Sequence, residues 1–259
     1  EISECLVGSE MCIRDSRYAD PAGKECYIRT AQFTIFLAMR QLWPEATAKM
    51  TCTLGSSVYI SVAGAKDFSA STLKARVSEL VGQDIPLIRR RVKLQKAIDR
   101  FREEGQTDKA RLLSWRTVDY FDEYAYGDFA DYYYGEMMPS TGYLTVWDIL
   151  PADGGFVFVY PDDGNPEICA KVPPMPNFFS VFNEGERWGE LMECQTVADL
   201  NDLTNSGRIR ELIRVNEALH EKRFSQVADQ VCQRGAKAVL LAGPSSCLLY
   251  TSPSPRDTR

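Results

Sequence analysis

The sequence has 259 residues, of which 44% are hydrophobic and 25% are charged, enough for a buried core in one or two domains. No apolar run approaches the ~20 residues that a membrane span needs, and the N-terminus lacks the charged-then-apolar pattern of an export signal. The net charge of −6 and the pI of about 5.1 argue against a protein that coats nucleic acid. We therefore expect a cytoplasmic protein with neither a membrane nor a nucleic acid partner; the oligomeric state is left open.

The cysteine and histidine content limits the chemistry further. Eight cysteines occur without any Cys-x-x-Cys pair, which indicates reduced thiols in the cytosol. His220 is the single histidine, so mechanisms that need two histidines are excluded, including a His-rich zinc site. No metal site is predicted.

The two ends of the chain resemble translated adapter sequence. Suitable codons for residues 6–15 and 247–257 are reverse complements over almost their whole length, and both resemble the transposase adapter of sequencing libraries. We therefore expect residues 1–16 and 247–259 to be foreign to the fold, which leaves 17–246 as native sequence.

Residues 24–165 predict a mixture of helices and strands. Helices are predicted from the spacing of apolar residues over 28–42, 69–81, 94–104 and 107–115. Strands are predicted for a hairpin over 50–63 and for 86–92, 143–150 and 156–160. The stretch 118–134 is too rich in Tyr and Asp for a regular helix. The pattern favours an α+β domain with an antiparallel sheet packed by helices.

A Pro-rich connector over 171–176 marks a boundary, and the pattern after it is helical. Helices are predicted over 178–194, 196–203 and 209–233, and a buried strand over 237–243 leads into a glycine-containing turn.

Two motifs carry a family resemblance. The run Gly127-Asp-Phe-Ala-Asp131, followed by Pro139-Ser-Thr-Gly142, resembles the second additional domain of threonyl- and alanyl-tRNA synthetases. In the editing synthetases this domain carries a His-x-x-x-His pair facing a Cys and a His. By this resemblance the four positions are Arg29, Phe33, Tyr133 and Met137. Without His or Cys at these positions, the metal ligation and general-base chemistry of the editing site are not available, so we expect the domain shape without the editing site and no catalytic residue.

A second resemblance concerns the C-terminal part. Residues 208–229, the strand after them and Gly243-Pro-Ser-Ser246 are similar to the junction into the kinase domain of bacterial nucleoside kinases related to uridine kinases and phosphoribulokinase. There Gly243, Pro244, Ser245 and Ser246 would begin a P-loop, whose backbone N–H groups bind ATP phosphates with a Lys and Mg²⁺. Adapter residues replace the Gly, Lys and Thr of the loop, so the fragment itself is expected to bind no cofactor.

Together these patterns give five segments and two functional hypotheses. The segments are 1–16 (adapter), 17–165 (synthetase-like domain), 166–235 (helical connector), 236–246 (start of a truncated P-loop domain) and 247–259 (adapter). The first hypothesis is the inactive N-terminal part of an ATP- and Mg²⁺-dependent nucleoside kinase, whose partners are ATP and a nucleoside. The alternative is a non-catalytic module that binds a nucleotide, an amino acid or tRNA.

Three groups of residues allow a functional or a structural interpretation. His220 is a catalytic candidate, but its position within a helix favours a surface or packing role. The aromatic residues of 124–134 could stack on a base, although core packing is the simpler explanation. Arg89-Arg90-Arg91 could contact phosphate, whereas alternation on a strand explains them as solvated side chains.

Overall fold

The computed structural model describes residues 16–173 and 176–240, without the side chains of residues 176–183. The chain divides into two compact units, Glu1–Val181 and Phe182–Arg259. Within the described residues, no helix combines the length and apolar character required to cross a bilayer.

The first unit consists of helices alternating with antiparallel strands. In chain order these are α1 (Pro21–Leu42), β1 (Thr47–Thr53), β2 (Ser57–Ala63), α2 (Ala70–Gly82), β3 (Ile88–Lys93), α3 (Leu94–Glu103), α4 (Thr107–Ser114), β4 (Tyr120–Tyr126), β5 (Phe129–Asp131), β6 (Asp148–Ala152) and β7 (Gly155–Val159). Each of the strand pairs is antiparallel. The predicted α+β class, with antiparallel sheets packed by helices, is confirmed.

Helix α1 is the central helix of this unit. It begins seven residues before the predicted start, because Pro21 occupies the first helical turn, where its missing N–H costs nothing. Its buried residues include Phe33, Ile35 and Leu37, which point to different sides of the helix, so it is enclosed rather than amphipathic. The main hydrophobic core forms around it.

Four strands form one sheet in the order β1-β2-β7-β6, which packs on the main core through residues such as Ile60 and Phe158. At Gly155 of β7 the sheet is very close-packed. A Cβ atom there would lie 2.0 Å from the backbone oxygen of Ile60, so only glycine fits at this position.

The remaining three strands form a second sheet in the order β3-β4-β5, where one sheet was predicted. This sheet has its own small core with α3 and α4, centred on Phe101, Leu113 and Phe121. The separate core explains why there are two sheets, because each sheet must bury its apolar face against helices.

One segment of the first unit had no predicted element, and another begins later than predicted. Residues 118–134 contain the β4–β5 hairpin, whose alternation is hidden in the sequence because its buried face carries Glu123. The predicted strand 143–150 begins only at Asp148. The Tyr27 hydroxyl bonds to both the oxygen and the nitrogen of Val146, at 2.7 and 3.2 Å, and so occupies the backbone groups that a strand would use.

The rest of the chain contains the three predicted helices, α5 (Pro176–Leu191), α6 (Val197–Asn205) and α7 (Ile209–Gln233). The first of them begins in the first unit and ends in the second, and the other two lie in the second unit. Thr196 forms a reciprocal capping box with Asp199 at the start of α6. None of the α7 side chains is buried.

The predicted buried strand over 237–243 is not found where the structure describes it. Residues 237–240 form no strand, and the Leu240 side chain is 98% exposed. No strand lies beside them in the described part of the second unit, and a strand without a pairing partner leaves its backbone groups unbonded. The expected P-loop residues 243–246 and the expected adapter residues 1–15 and 247–259 lie outside the described residues.

Candidate functional site

The four positions indicated by the synthetase resemblance meet in one place, which we call the α1 junction: the contact between α1 and residues 133–138. Arg29 and Phe33 are four residues apart on α1 and therefore lie on the same face of the helix. Tyr133 and Met137 lie in the segment that follows β5. The contacts below join these two elements.

Aromatic rings fill the inner part of the junction. Phe33 is fully buried, and its ring centroid lies 5.1 Å from that of Phe129 and 6.3 Å from that of Tyr133, both in edge-on contact. The Tyr133 hydroxyl is buried and makes no hydrogen bond within the described residues. Burial raises the pKa of Tyr133 well above its usual value, so this group stays neutral and cannot act as a base at neutral pH.

The Arg29 side chain closes the outer part of the junction. Its Nε donates to the backbone oxygen of Glu136 at 2.8 Å, and its Nη1 donates to Glu25 Oε2 at 3.1 Å. The guanidinium lies against Gly135, where a Cβ atom would be 2.8 Å from Arg29 Cζ. The φ of +121° at Gly135 also requires glycine. The arginine is thus used to hold the loop.

Two hydroxyl groups bind the backbone of the loop. Thr30 Oγ1 accepts from Met138 N at 2.8 Å and donates to the Cys26 carbonyl one turn earlier on α1. The Tyr124 hydroxyl accepts from Met137 N at 3.1 Å. The junction therefore has aromatic packing inside and hydrogen bonds outside, and none of its four key positions carries the histidine or cysteine of an editing site.

The glycine-rich motif that carried the resemblance forms structural contacts. Gly127 has a φ of +56° in the turn between β4 and β5, a conformation that favours glycine. Asp131 accepts from Lys109 Nζ through both carboxylate oxygens at 2.8 Å, which ties β5 to α4. These residues shape the hairpin.

The Pro139-Ser-Thr-Gly142 motif connects the 3-10 turn Thr141–Tyr143 to α2. Thr141 Oγ1 donates to the Leu80 carbonyl at 2.7 Å and accepts from Ile85 N at 2.9 Å. Asp84 Oδ1 accepts from Gly142 N at 3.1 Å and also from the Ser140 hydroxyl. Both motifs thus stabilise the segments on either side of the α1 junction.

The sequence did not predict a second polar cluster, which lies between β3 and α3. Glu123 of β4 is fully buried and contacts two arginines, Arg90 Nε at 2.6 Å and Arg100 Nη1 at 2.5 Å. The sequence did contain a signal for this cluster, namely an arginine triplet followed later in the chain by an acidic stretch. The two segments pair in the sheet, and Arg90 lies directly opposite Glu123 in the β3–β4 register. We call the groove beside it the β3–α3 groove.

The structure also places the other three groups of candidate residues. His220 is exposed on α7, consistent with the surface role. Arg89 and Arg91 both bind Asp122, at 2.9 and 2.8 Å. The aromatic stretch is mixed, since Tyr124 is buried and Tyr134 is 72% exposed. Among the side chains that the structure describes, no three His, Cys, Asp or Glu residues are grouped as a metal site would require.

Comparison with known proteins identifies one type of relative. The chain is 26% identical over 202 residues to a protein of Halorhodospira halophila, covering 76% of the chain and 30% of the relative. It is also 25% identical over 158 residues to one of Paraburkholderia xenovorans (60% and 25% covered) and 28% identical over 141 residues to one of Burkholderia multivorans (53% and 22%). All three are threonine–tRNA ligases. No protein-family profile matches the chain.

These similarities support a threonyl-tRNA-synthetase-like domain in this chain, which spans less than a third of the length of these relatives. They also correct the first functional hypothesis. The assignment to a nucleoside kinase was wrong, because the relatives are tRNA ligases and none of them supports a kinase. The expected contacts of residues 243–246 with ATP and Mg²⁺ depended on that assignment and remain untested.

Proposed function

We propose that the chain is a non-catalytic tRNA-binding module of the threonyl-tRNA-synthetase type. The observation that carries this proposal is the α1 junction. At the positions that the resemblance equates with the His and Cys residues of editing synthetases, Phe33 and Tyr133 are in ring contact. Arg29 binds the backbone of Glu136, and Met137 is bound through its backbone nitrogen. Similarity to threonine–tRNA ligases over 76% of the chain supports the same assignment.

An amino acid is a poorer ligand than tRNA for this fold. The fully buried Phe33 ring and the Tyr133 ring occupy the inner part of the junction, while Arg29 is bonded to Glu136 across its outer part. A small ligand would have to displace packed aromatic rings, and that would cost buried apolar contacts.

The overall negative charge, which argued against nucleic acid, is unevenly distributed. Residues 84–111 contain nine basic and five acidic side chains, whereas residues 119–190 contain two basic and fourteen acidic ones. RNA binding depends on local phosphate contacts rather than on net charge. The basic segment includes β3, α3 and α4, whereas β4 and β5 of the same small sheet carry the carboxylates of Asp122, Glu123 and Asp131. Within the described part of this sheet and its helices, unpaired positive charge is therefore found only at particular side chains of β3 and α3.

The test has a binding arm and a chemical arm. Fluorescence anisotropy with labelled deacylated tRNA at low salt should show saturable binding that weakens as salt is raised. Incubation of aminoacyl-tRNA with the chain should leave the rate of deacylation equal to that in buffer. A chain that binds no tRNA, or one that accelerates deacylation, would contradict the proposal.

In the binding arm, a matched reference protein controls for non-specific binding of tRNA.

In the chemical arm, the control is the Arg29→Ala variant. It should leave deacylation at the buffer rate, because the arginine is used to hold the loop. If this variant gained hydrolytic activity, Arg29 would be blocking a functional site rather than holding the backbone.

A further inference from the structure

The β3–α3 groove is an open cavity of about 620 Å³ on the small second sheet, and most of the residues that line it are charged. Val92 is the only apolar residue among those that line it. Four of the others are cations and three are carboxylates; the set is Arg90, Lys93, Gln95, Lys96, Asp99, Arg100, Glu103 and Glu123.

The inner side of the groove carries more positive than negative charge. Glu123 is fully buried and its single charge is shared by Arg90 and Arg100. The next carboxylate is Glu104, whose Oε1 lies 3.5 Å from Arg100 Nε and whose Oε2 lies 3.3 Å from Arg40 Nη2. Three arginines therefore share two carboxylates, and one positive charge remains.

Arg100 also has unused hydrogen-bonding capacity. Its Nε and Nη2 atoms are buried and make no hydrogen bond within the described residues, although Nε lies 3.5 Å from Glu104 Oε1. A guanidinium has five N–H donors, and buried donors without an acceptor are unusual in folded proteins. These donors add to the positive potential on the inner side of the groove.

The outer side of the groove carries two free ammonium groups. Lys93 and Lys96 are exposed, and no carboxylate pairs with either of them within the described residues. Asp99 is engaged elsewhere, because it accepts from Gln95 at 2.8 Å and pairs with Arg102 at 3.4 Å. Lys96, Arg100 and Glu103 follow each other at helical spacing, so Glu103 is the remaining groove carboxylate on that stripe.

We propose that the β3–α3 groove binds phosphate groups, with Lys93 and Lys96 as its contact residues. Arg90 and Arg100 supply fixed positive charge behind them, held in place by Glu123. Lysine ammonium groups bind phosphate as point charges, and nearby arginines strengthen the field.

The inference deepens the proposed function, since the backbone of tRNA is one source of such phosphates. Free polyphosphate compounds are the other source, and the chemistry of the contacts is the same for both. The two sources are separated by using two probes: labelled tRNA and inorganic tripolyphosphate.

The experiment uses the full chain and two double variants with the same loss of charge. Lys93→Ala/Lys96→Ala removes the groove lysines, and Lys66→Ala/Lys171→Ala removes two exposed lysines outside the groove. tRNA affinity is measured by anisotropy at several salt concentrations, and tripolyphosphate affinity by calorimetry. Circular dichroism of each variant verifies that it is folded.

We expect the tRNA affinity of the groove variant to be roughly tenfold lower than that of the unmodified chain. The slope of log affinity against log salt should become less steep by about 2, since two phosphate contacts are removed. The control variant should change little in both quantities. The groove variant should also lose tripolyphosphate binding. If tRNA binds and both variants behave alike, the groove inference is overturned and the proposed function stands.

Other outcomes separate the two proposals. Tripolyphosphate binding that depends on the groove lysines, without any tRNA binding, would support the groove and overturn the proposed function. If neither probe binds, the groove inference is wrong. It is also wrong if a polyglutamate peptide binds more tightly than tripolyphosphate with the same lysine dependence, since the ligand would then be an acidic peptide.

Discussion

Arg29 and Glu136 are joined across the α1 junction, where the guanidinium Nε donates to the backbone oxygen at 2.8 Å. This bond connects the central helix to the loop after β5. Arg29 stands at a position where the synthetase resemblance implies a histidine, and its side chain makes a structural contact. The predictions below concern this junction, the motifs beside it and the titrating groups around it.

Phe33 is the main packing residue of the junction. Replacing it in Phe33→Ala removes a fully buried ring and should lower the free energy of unfolding by about 3–5 kcal/mol. Urea denaturation followed by circular dichroism measures the change. In the control Tyr143→Ala, where the side chain is 54% exposed, the loss should stay within about 0.5 kcal/mol. Similar losses in the two variants would show that the junction is loosely packed.

Thr141 connects the 3-10 turn to α2 through two hydrogen bonds. Thr141→Val preserves the shape of the side chain but leaves Leu80 O and Ile85 N without this partner, at a cost of about 2 kcal/mol. Thr145→Val is the control, because Thr145 is exposed four residues later. Chemical denaturation of both variants tests this, and equal stability of the two would refute the role given to Thr141.

Gly155 should tolerate no larger residue. In Gly155→Ala the new Cβ would lie 2.0 Å from the Ile60 oxygen, so the β2–β7 pairing must shift, at a cost of about 1–3 kcal/mol. At Gly82 of α2 nothing lies within 4 Å of an added Cβ. Gly82→Ala should therefore be neutral or stabilising by up to about 1 kcal/mol. Thermal unfolding of the two variants gives the comparison, and a stable Gly155→Ala protein would contradict the close approach.

Asp122 should make stability depend on pH in the acid range. Hydrogen bonding from Arg91, together with Arg89, lowers the pKa of Asp122 from 3.8 to about 2. A carboxyl whose pKa is lower in the folded state contributes stability above its unfolded pKa, and this contribution is lost as the pH falls from about 4 to about 2. The Tm of Asp122→Asn should therefore fall less over this interval than that of the unmodified chain.

The control for Asp122 is Asp128→Asn, which changes an exposed carboxylate in the neighbouring hairpin turn. Its Tm should follow the pH dependence of the unmodified chain. Parallel curves for all three proteins would mean that the contacts of Asp122 with the two arginines do not persist in solution.

Buried tyrosines should govern the alkaline limit of stability. Burial is the largest cause that raises the pKa of Tyr132, and likewise of Tyr18, from 10.0 to about 12. For a group whose folded pKa is raised, the stabilisation is present below the unfolded pKa and is lost as pH rises from about 10 to about 12. Phenolate absorbance against pH, compared between the native chain and the chain in denaturant, should show delayed ionisation in the native state. Superimposable curves would contradict this burial.

The elements with strong local signals were predicted well from the sequence. Helix α7 was predicted over its observed range, and Gly55-Ser56 correctly marked the hairpin of β1 and β2. Helical periodicity and turn residues act over a few positions, so they can be recognised without knowledge of the fold. The same is true of the helix that follows Ser69, whose side chain caps its first turn.

The features that depend on distant partners were decided only by the tertiary structure. The β4 strand was missed because Glu123 stands on its buried face, and a buried carboxylate is stable there only with Arg90 and Arg100 beside it. The strand predicted over 237–243 had the right composition but no neighbouring strand in the described part of its unit. A strand forms when its backbone groups find partners, and the sequence of the segment alone does not contain them.

The α1 junction combines both kinds of information. The sequence by itself determined that none of the four positions carries histidine or cysteine. Only the tertiary structure decided that α1 meets the loop after β5 through the rings of Phe33 and Tyr133 and the backbone-bound guanidinium of Arg29. The physical reason is that the chemistry of a side chain is set by its own atoms, whereas its contacts are set by residues more than a hundred positions away in the chain.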